Sequence, residues 1–367
     1  MRAGRLAVVG TGLIGASVAL AARRTGVASV AGWDPSPEAL EAAVSRGAVD
    51  VPAGSLSEAL ADADIAVVAA PVARLPAAVE EVLAASGDGC TVTDVGSTKQ
   101  AVCAVAGGSR RFVGGHPVAG SEARGAAHAR EDLFEGATWF LTPLPDTDTE
   151  RYRAVHGFVA GLGAVPLAVD PAAHDRLVAL TSHLPHALAN LLLNQAGAER
   201  IERHDPLAAA GGSLRDMTRV AGANPRIWVD IFLENAAALR EALGEHRRRL
   251  DQLDAALASG DAGFLARWIG EAVDNRRRLL ADAFEDPGTL QRLTVHVPDR
   301  PGVLAGITQA LGAARINIED FELRHMSPDR GGTLTLLISG DAAAGRAAAL
   351  LEEQGYPVTV APALAEP

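Results

Sequence analysis

The sequence predicts an α/β protein built on a doubly wound parallel sheet, followed by an all-α segment and then by a small βαββαβ unit. Three observations carry that prediction. A strand, a glycine turn and a helix start occupy residues 6–20; short β-rich runs alternate with helical patterns to about Asp170; and strand–helix–strand spacing returns after residue 290. The corresponding domains are 1–170, 171–285 and 290–367, each long enough for its own core.

The first stretch, LAVVGTGLIGASVAL, places Gly10, Gly12 and Gly15 in the pattern G-x-G-x-x-G directly after Leu6-Ala7-Val8-Val9. This is where a strand of Rossmann type hands over to its helix. Gly10 permits the tight turn, Gly12 lets the backbone approach phosphate oxygens, and Gly15 lets helix and strand pack closely. The free N–H groups of the first helical turn, at Leu13 and Ile14, then face the anion. Asp34 closes a second apolar segment, Ala28 to Trp33, about 20 residues further on. A carboxylate there accepts hydrogen bonds from a ribose 2′-OH and repels a 2′-phosphate, so the expected cofactor is NAD rather than NADP. Two other readings compete: a signal peptide led by Arg2 and Arg5, and a glycine turn that holds no nucleotide. Gly10, Gly12, Gly15 and Gly26 weaken an apolar signal helix, and the β–turn–α–β pattern runs unbroken into Asp34.

Composition narrows the function. Among 367 residues, 48% are hydrophobic and 21% charged, as in globular proteins. The 33 basic and 45 acidic residues give a formal charge of −12, which argues against a nucleic-acid partner. Arg247-Arg248-Arg249 and Arg276-Arg277-Arg278 lie in helical patterns rich in Glu and Asp and read as solvated faces. Cys90 and Cys103 have neither metal nor redox spacing, and no later run is long enough to span a membrane. The expectation is a cytoplasmic protein with no membrane partner and no metal.

Further strands are expected at Ile65 to Ala69, Cys90 to Asp94, Arg111 to Val113, Thr138 to Leu141 and Val165 to Val169. The loops after Ala70 and Val95 leave carboxyl ends of strands, the ligand side of such a sheet. From Ala172 to Asn194 one helix is expected, with Ser182, His186 and Asn190 on one face and Leu180, Leu184, Leu188 and Leu191 packing on the other. Asn224-Pro225 reads as a helix cap opening a single helix of about 30 residues, roughly 45 Å long. Such a length suits a homodimer interface. Asp286-Pro287-Gly288 ends the helical pattern, and the last 80 or so residues form a ferredoxin-like unit.

Three clusters carry chemistry. Gly114-Gly115-His116-Pro117 and the residues on to Glu122 are expected to form a rigid loop that presents His116 as a general base, with Ser97 on the neighbouring loop to orient it or touch the nicotinamide amide. A histidine that merely braces the loop is the alternative. In Ser182-His183-Leu184-Pro185-His186 the two histidines lack the further ligands of a zinc site, and Pro185 frees backbone groups for a ligand. In the run from Gly211 to Arg219 an arginine beside a glycine turn suits a carboxylate, with an Arg215–Asp216 structural pair as the alternative.

Taken in order, the glycine turn with Asp34, Gly96-Ser97-Thr98-Lys99, Gly114-Gly115-His116-Pro117, Ser182 to His186, and Arg215 to Arg219 leading into Trp228 to Ile231 resemble the prephenate dehydrogenase family over residues 5 to 285. The tail, with Val297 to Leu304 and Ile316-Asn317-Ile318, resembles an ACT domain. The resemblance implies NAD-dependent oxidative decarboxylation of prephenate to 4-hydroxyphenylpyruvate in tyrosine synthesis. It implies His116, assisted by Ser97, as catalytic residues; His186 and Arg219 as substrate ligands; and Gly212 and Trp228 lining the pocket or its dimer-mate edge. It also implies an effector such as tyrosine near Asp299, Arg300, Gly302 and Asn317. Gly212-Ser213-Leu214 and Met217 depart from the family's aromatic residues there, which bears on substrate shape. Arogenate dehydrogenase on the same scaffold remains an alternative. A β-hydroxy-acid dehydrogenase is disfavoured because Ala172 to Asn194 contains no lysine, and a non-catalytic sensor of NAD and an amino acid would have no use for the histidines and arginine.

Overall fold

Leu6–Val9 and Ile65–Val68 are continuous apolar runs, and both are buried, as central parallel strands require. The computed structural model describes residues 4–119, 123–281, 289–327 and 331–363. Arg2, Gly120-Ser121-Glu122 and Asp286-Pro287-Gly288 lie outside these. Strands β1 (Arg5–Val9), β2 (Ser29–Trp33), β3 (Val51–Pro52), β4 (Ile65–Val68), β5 (Thr91–Asp94), β6 (Phe112–Pro117), β7 (Thr138–Pro143) and β8 (Val165–Ala168) form one sheet in the order β3-β2-β1-β4-β5-β6-β7-β8. Two apolar clusters cover it. One holds Leu6, Val18, Phe134 and Trp139, the other Val9, Leu75, Val92 and Phe112.

Two expectations are corrected here. The sheet is not wholly parallel, because β6 and β7 pair antiparallel, His116 opposite Phe140. The described part of their connection holds only the 3₁₀ turn Ala126–His128, and without a crossover helix the chain returns in the opposite sense. His116 therefore sits inside β6 and not on a loop after it. The two glycines before it permit this: a Cβ at Gly114 would fall 2.1 Å from Thr142 Oγ1, and one at Gly115 would fall 2.5 Å from Asp94 O. The edge strand β3, with Pro52 in it, is too short to read from sequence.

Asp170 caps the helix Pro171–Val178, its carboxylate accepting from Ala172 N and Ala173 N. The helix expected over Ala172 to Asn194 is instead helix Pro171–Val178, a π-turn Ala179–His183 and helix Leu184–Ala198. Pro185, in the first turn of the last piece, lacks an N–H for a regular ladder, and the wide turn before it absorbs the break. The apolar line is interrupted as a result: Leu184 is buried, while Leu180 and Leu191 are each 60% exposed in the single chain.

The long helix is also broken. Helix Pro225–Glu234 stops at Asn235, and helix Ala236–Ser259 follows. The Asn235 side chain is buried and donates to Asp175 O at 2.8 Å, which fixes the kink from inside. Arg248 pairs with Glu245, and Arg277 with Asp274, on solvated helix faces.

The chain divides into two units at Arg248 and Arg249. Within the second, β9 (Leu290–Val297), β10 (Asp320–Ser327), β11 (Gly331–Ser339) and β12 (Val358–Pro362) form an antiparallel sheet in the order β10-β11-β9-β12. Helices Val303–Ala313 and Asp341–Glu353 pack on it through Ile307, Leu311, Ala347 and Leu351, giving the expected βαββαβ unit. Among the described residues no helix is long and apolar enough to cross a membrane.

Candidate active site

The glycine turn has the shape its sequence predicts. Gly10 has φ +93°, and a Cβ there would fall 2.5 Å from Ala69 O; a Cβ at Gly15 would fall 2.0 Å from Gly10 O. Gly12 faces open space, and no side chain caps the helix Leu13–Arg24, so the N–H groups of Leu13 and Ile14 point outward uncapped. Asp34 lies at the end of β2, with Oδ2 accepting from Thr11 N at 2.7 Å and Thr11 Oγ1 at 3.3 Å, and Oδ1 accepting from Ser36 N at 2.9 Å. A carboxylate has about four acceptor positions, so one remains for a ribose hydroxyl. These residues fit a dinucleotide: an anion cradle at Gly12 and a fixed acceptor at the strand tip.

At the adjoining strand ends a buried ion pair holds the next element. Lys99 and Asp94 are both fully buried and in contact. Asp94 accepts from Gly115 N at 3.0 Å and Lys99 Nζ donates to Gly115 O at 2.7 Å, so both backbone groups of the residue before His116 are clamped. Ser97 lies on the loop between Asp94 and Lys99. Among the described residues its hydroxyl has no hydrogen-bond partner, and the partner of His116 is a different residue. His116 Nδ1 lies 2.8 Å from Nε2 of His174, whose Nδ1 lies 2.8 Å from Asp175 Oδ1. Burial, with His174, Lys99 and His183 nearby, pushes the His116 imidazole well below its usual range.

The chain of contacts continues. Asn235 bonds Asp175 O and lies 3.1 Å from His183 Nδ1. His183 meets Trp228 edge-on, and Trp228 stacks on His186. Burial pushes His183 down to about 4 and lowers His186 as well. His186 Nδ1 donates to Ser182 O at 3.0 Å, and Asn190 donates to His186 O at 2.9 Å, along the every-fourth-residue line visible in the sequence. The helix Gly212–Thr218 and the turn Arg219–Gly222 both pack on the helix that carries His186. Arg219 is exposed. The structure thus joins His116, His186 and Trp228 through three residues outside the sequence motifs: His174, Asp175 and Asn235. A signal for His174 exists, since the line Ser182, His186, Asn190 extended two turns back reaches it.

In the second unit, Asp299, Arg300 and Gly302 line a cavity of about 330 Å³ with Leu304, Leu323 and Gly332. Gly302 opens helix Val303–Ala313 at φ +90°. Asn317 is not among the lining residues and donates to Glu319 instead.

Residues 18–167 match the family model of the prephenate dehydrogenase nucleotide-binding domain, 170–271 that of the prephenate dehydrogenase dimerization domain, and 291–349 that of the ACT domain. The chain is 35% identical over 343 residues to the prephenate dehydrogenase of Bacillus subtilis (strain 168), covering 91% of this chain and 92% of that one. The crystal structure of Synechocystis arogenate dehydrogenase superposes with a TM-score of 0.68 at 32% identity, covering 75% of this chain and 99% of that one. The prephenate dehydrogenase of A. aeolicus, solved in complex with hydroxyphenyl propionate and NAD+, gives 0.69 at 30% identity, covering 75% and 98%. With that likeness running through nearly the whole length of its Bacillus relative, the chain belongs to the prephenate dehydrogenase family.

Proposed function

We propose that this protein catalyses the NAD-dependent oxidative decarboxylation of prephenate to 4-hydroxyphenylpyruvate. The observation that carries the reading is His116, a half-buried imidazole whose Nδ1 is held from behind by His174, on the strand next to the one that leads into Ser97. When bound at the Gly10–Gly15 turn, with Asp34 on its ribose, NAD supplies the hydride acceptor. His116 takes the ring-hydroxyl proton as the carbon beneath it is oxidised, and gives it back to that oxygen when loss of CO2 makes the ring aromatic. No net proton is released. Little more is asked of the protein than orientation and one base. Ser97 bonds the same hydroxyl, His186 offers its Nε2 to the substrate, Arg219 binds a carboxylate, and Trp228 and Gly212 line the pocket. The test is direct: NADH should form on mixing the protein with NAD and prephenate, and no NADH would refute the assignment.

Arogenate, with an amino group in place of the side-chain keto group, is the second substrate to try, because the Synechocystis relative is named for it. The ratio of kcat/KM for the two decides. The match to the family's dimerization domain, with Leu180, Leu191 and Leu233 exposed at 60, 60 and 70%, supports a homodimer. The ACT-domain cavity suits a small amino acid such as tyrosine, whose carboxylate would meet the helix start at Gly302. Calorimetry with tyrosine, phenylalanine and tryptophan tests this, and no heat with any of them refutes it. Buried thiols at Cys90 and Cys103 accord with the cytoplasm.

A further inference from the structure

We infer that His174 and Asp175 form a relay behind His116, which fixes the His116 proton on Nδ1, leaves the lone pair on Nε2, and takes up the Nδ1 proton when Nε2 is protonated. This rests on the reading of His116 as the base. His174 is thereby a positioning residue, since it acts through another imidazole.

Hydrogen-bond accounting leads there. Asp175 accepts from Lys99 N at 2.7 Å and Gln100 N at 2.9 Å, as well as meeting His174 Nδ1 at 2.8 Å. Burial works to raise its carboxyl pKa, yet the bonds from His174, Gln100 and Lys99 bring it below the usual value, so it is ionised and can only accept. The proton between them therefore sits on His174 Nδ1. In neutral His174 the other nitrogen, Nε2, is then bare and needs a donor, and the atom 2.8 Å away is His116 Nδ1. The opposite tautomer of His116 would set two lone pairs face to face at that distance.

His174 is fully buried, and Phe140 closes edge-on against its ring at 5.2 Å, so water does not compete for the contact. Among the described residues, the charged or titratable groups that bear on His116 besides His174 are Lys99, already bound to Asp94 and Gly115, and His183, already bound to Asn235. In the forward step the substrate O–H bond breaks and the His116 Nε2–H bond forms. The Nδ1 proton then moves to His174 Nε2, leaving His116 neutral and an imidazolium beside the Asp175 carboxylate. Aromatisation reverses both transfers. An aspartate that holds a catalytic imidazole in its working tautomer has a known parallel in hydrolases.

The test uses the full-length enzyme with ring-nitrogen-labelled histidine. Heteronuclear NMR of the wild type should give His116 a protonated Nδ1 and a bare Nε2, and the reverse assignment overturns the relay whatever the activity. His174→Gln keeps an acceptor but cannot carry the proton. It should lower kcat about 10- to 100-fold, with KM for prephenate and NAD affinity within about 3-fold, and shift the acid limb of the kcat profile. A His174→Gln enzyme with wild-type kcat and pH profile also overturns it. Absence of prephenate oxidation by the wild type, with the expected NMR tautomer, would instead sink the assigned reaction and leave the hydrogen-bond relay standing.

Discussion

The Trp228 indole lies on the His186 imidazole, with ring centroids 3.5 Å apart and planes inclined by 25°. Together with the bond from His186 Nδ1 to Ser182 O, the stack fixes the direction in which Nε2 points. An aromatic pair of this kind contributes about 0.5–1.5 kcal/mol beyond its area. Trp228→Leu should therefore raise KM for prephenate about 2- to 10-fold and leave kcat nearly unchanged, as steady-state kinetics will report.

Replacing His116 by Asn removes the proton acceptor while keeping a polar side chain in β6. Turnover should fall about 10²- to 10⁴-fold, and NAD affinity, measured by fluorescence titration, should stay within about 3-fold because the nucleotide cradle lies on other strands. Turnover at the wild-type level would remove His116 from the chemistry.

Asp34 both anchors Thr11 of the glycine turn and offers one free acceptor position. Asp34→Asn keeps much of the shape and removes the charge that repels a 2′-phosphate. KM for NAD should rise about 10-fold and the preference for NAD over NADP should narrow by about the same factor. An unchanged cofactor ratio would show that discrimination lies elsewhere.

The glycine turn, the cap at Asn224 and the βαββαβ tail are legible in the sequence because each is a local pattern: glycines at fixed spacing, Asn before Pro, apolar alternation. What lies beyond reading depends on packing between distant segments. Gly114-Gly115 look like loop residues until Thr142 and Asp94 are seen pressing on them, which makes them strand. Asn235 reads as an ordinary helix-surface residue, yet it is buried 60 positions from its partner Asp175. The meeting of His174 with His116 stays hidden for the same reason, since the helical spacing that points to His174 does not reveal that His116 reaches it from β6. The motif does set Ser97 beside the histidine's strand, and of the two roles open to it, orienting the imidazole or touching the nicotinamide amide, the first is filled at His116 Nδ1 by His174.

Arg219 is exposed at the start of a 3₁₀ turn that packs on the helix bearing His186. Truncating it should cost binding more than folding. Arg219→Ala is expected to raise KM for prephenate at least about 10-fold, in line with loss of a charge-assisted hydrogen bond of about 1.5–3 kcal/mol, while circular dichroism and the melting temperature stay close to wild type. A large fall in melting temperature with KM unchanged would assign the guanidinium to structure.

The histidines also set the response to pH. His116 is active when unprotonated, and its pKa lies well below the ordinary histidine value, so kcat/KM should be flat from pH 8 down through about 6.5 and fall only at lower pH. His183, which is buried and pushed down to about 4 in the folded protein, contributes to stability in the same window. Its unfolded value is about 6.5, so between those limits the unfolded chain binds the extra proton and acidification favours unfolding. The contribution is therefore complete above about pH 6.5 and is lost progressively toward pH 4, to a total of roughly 3 kcal/mol. Urea midpoints measured from pH 8 to 4 should hold steady at first and then drop, and His183→Gln, whose carbonyl can still accept from Asn235, should flatten that drop by about one proton's worth of slope. An equally steep fall in the variant would show that other groups control acid unfolding.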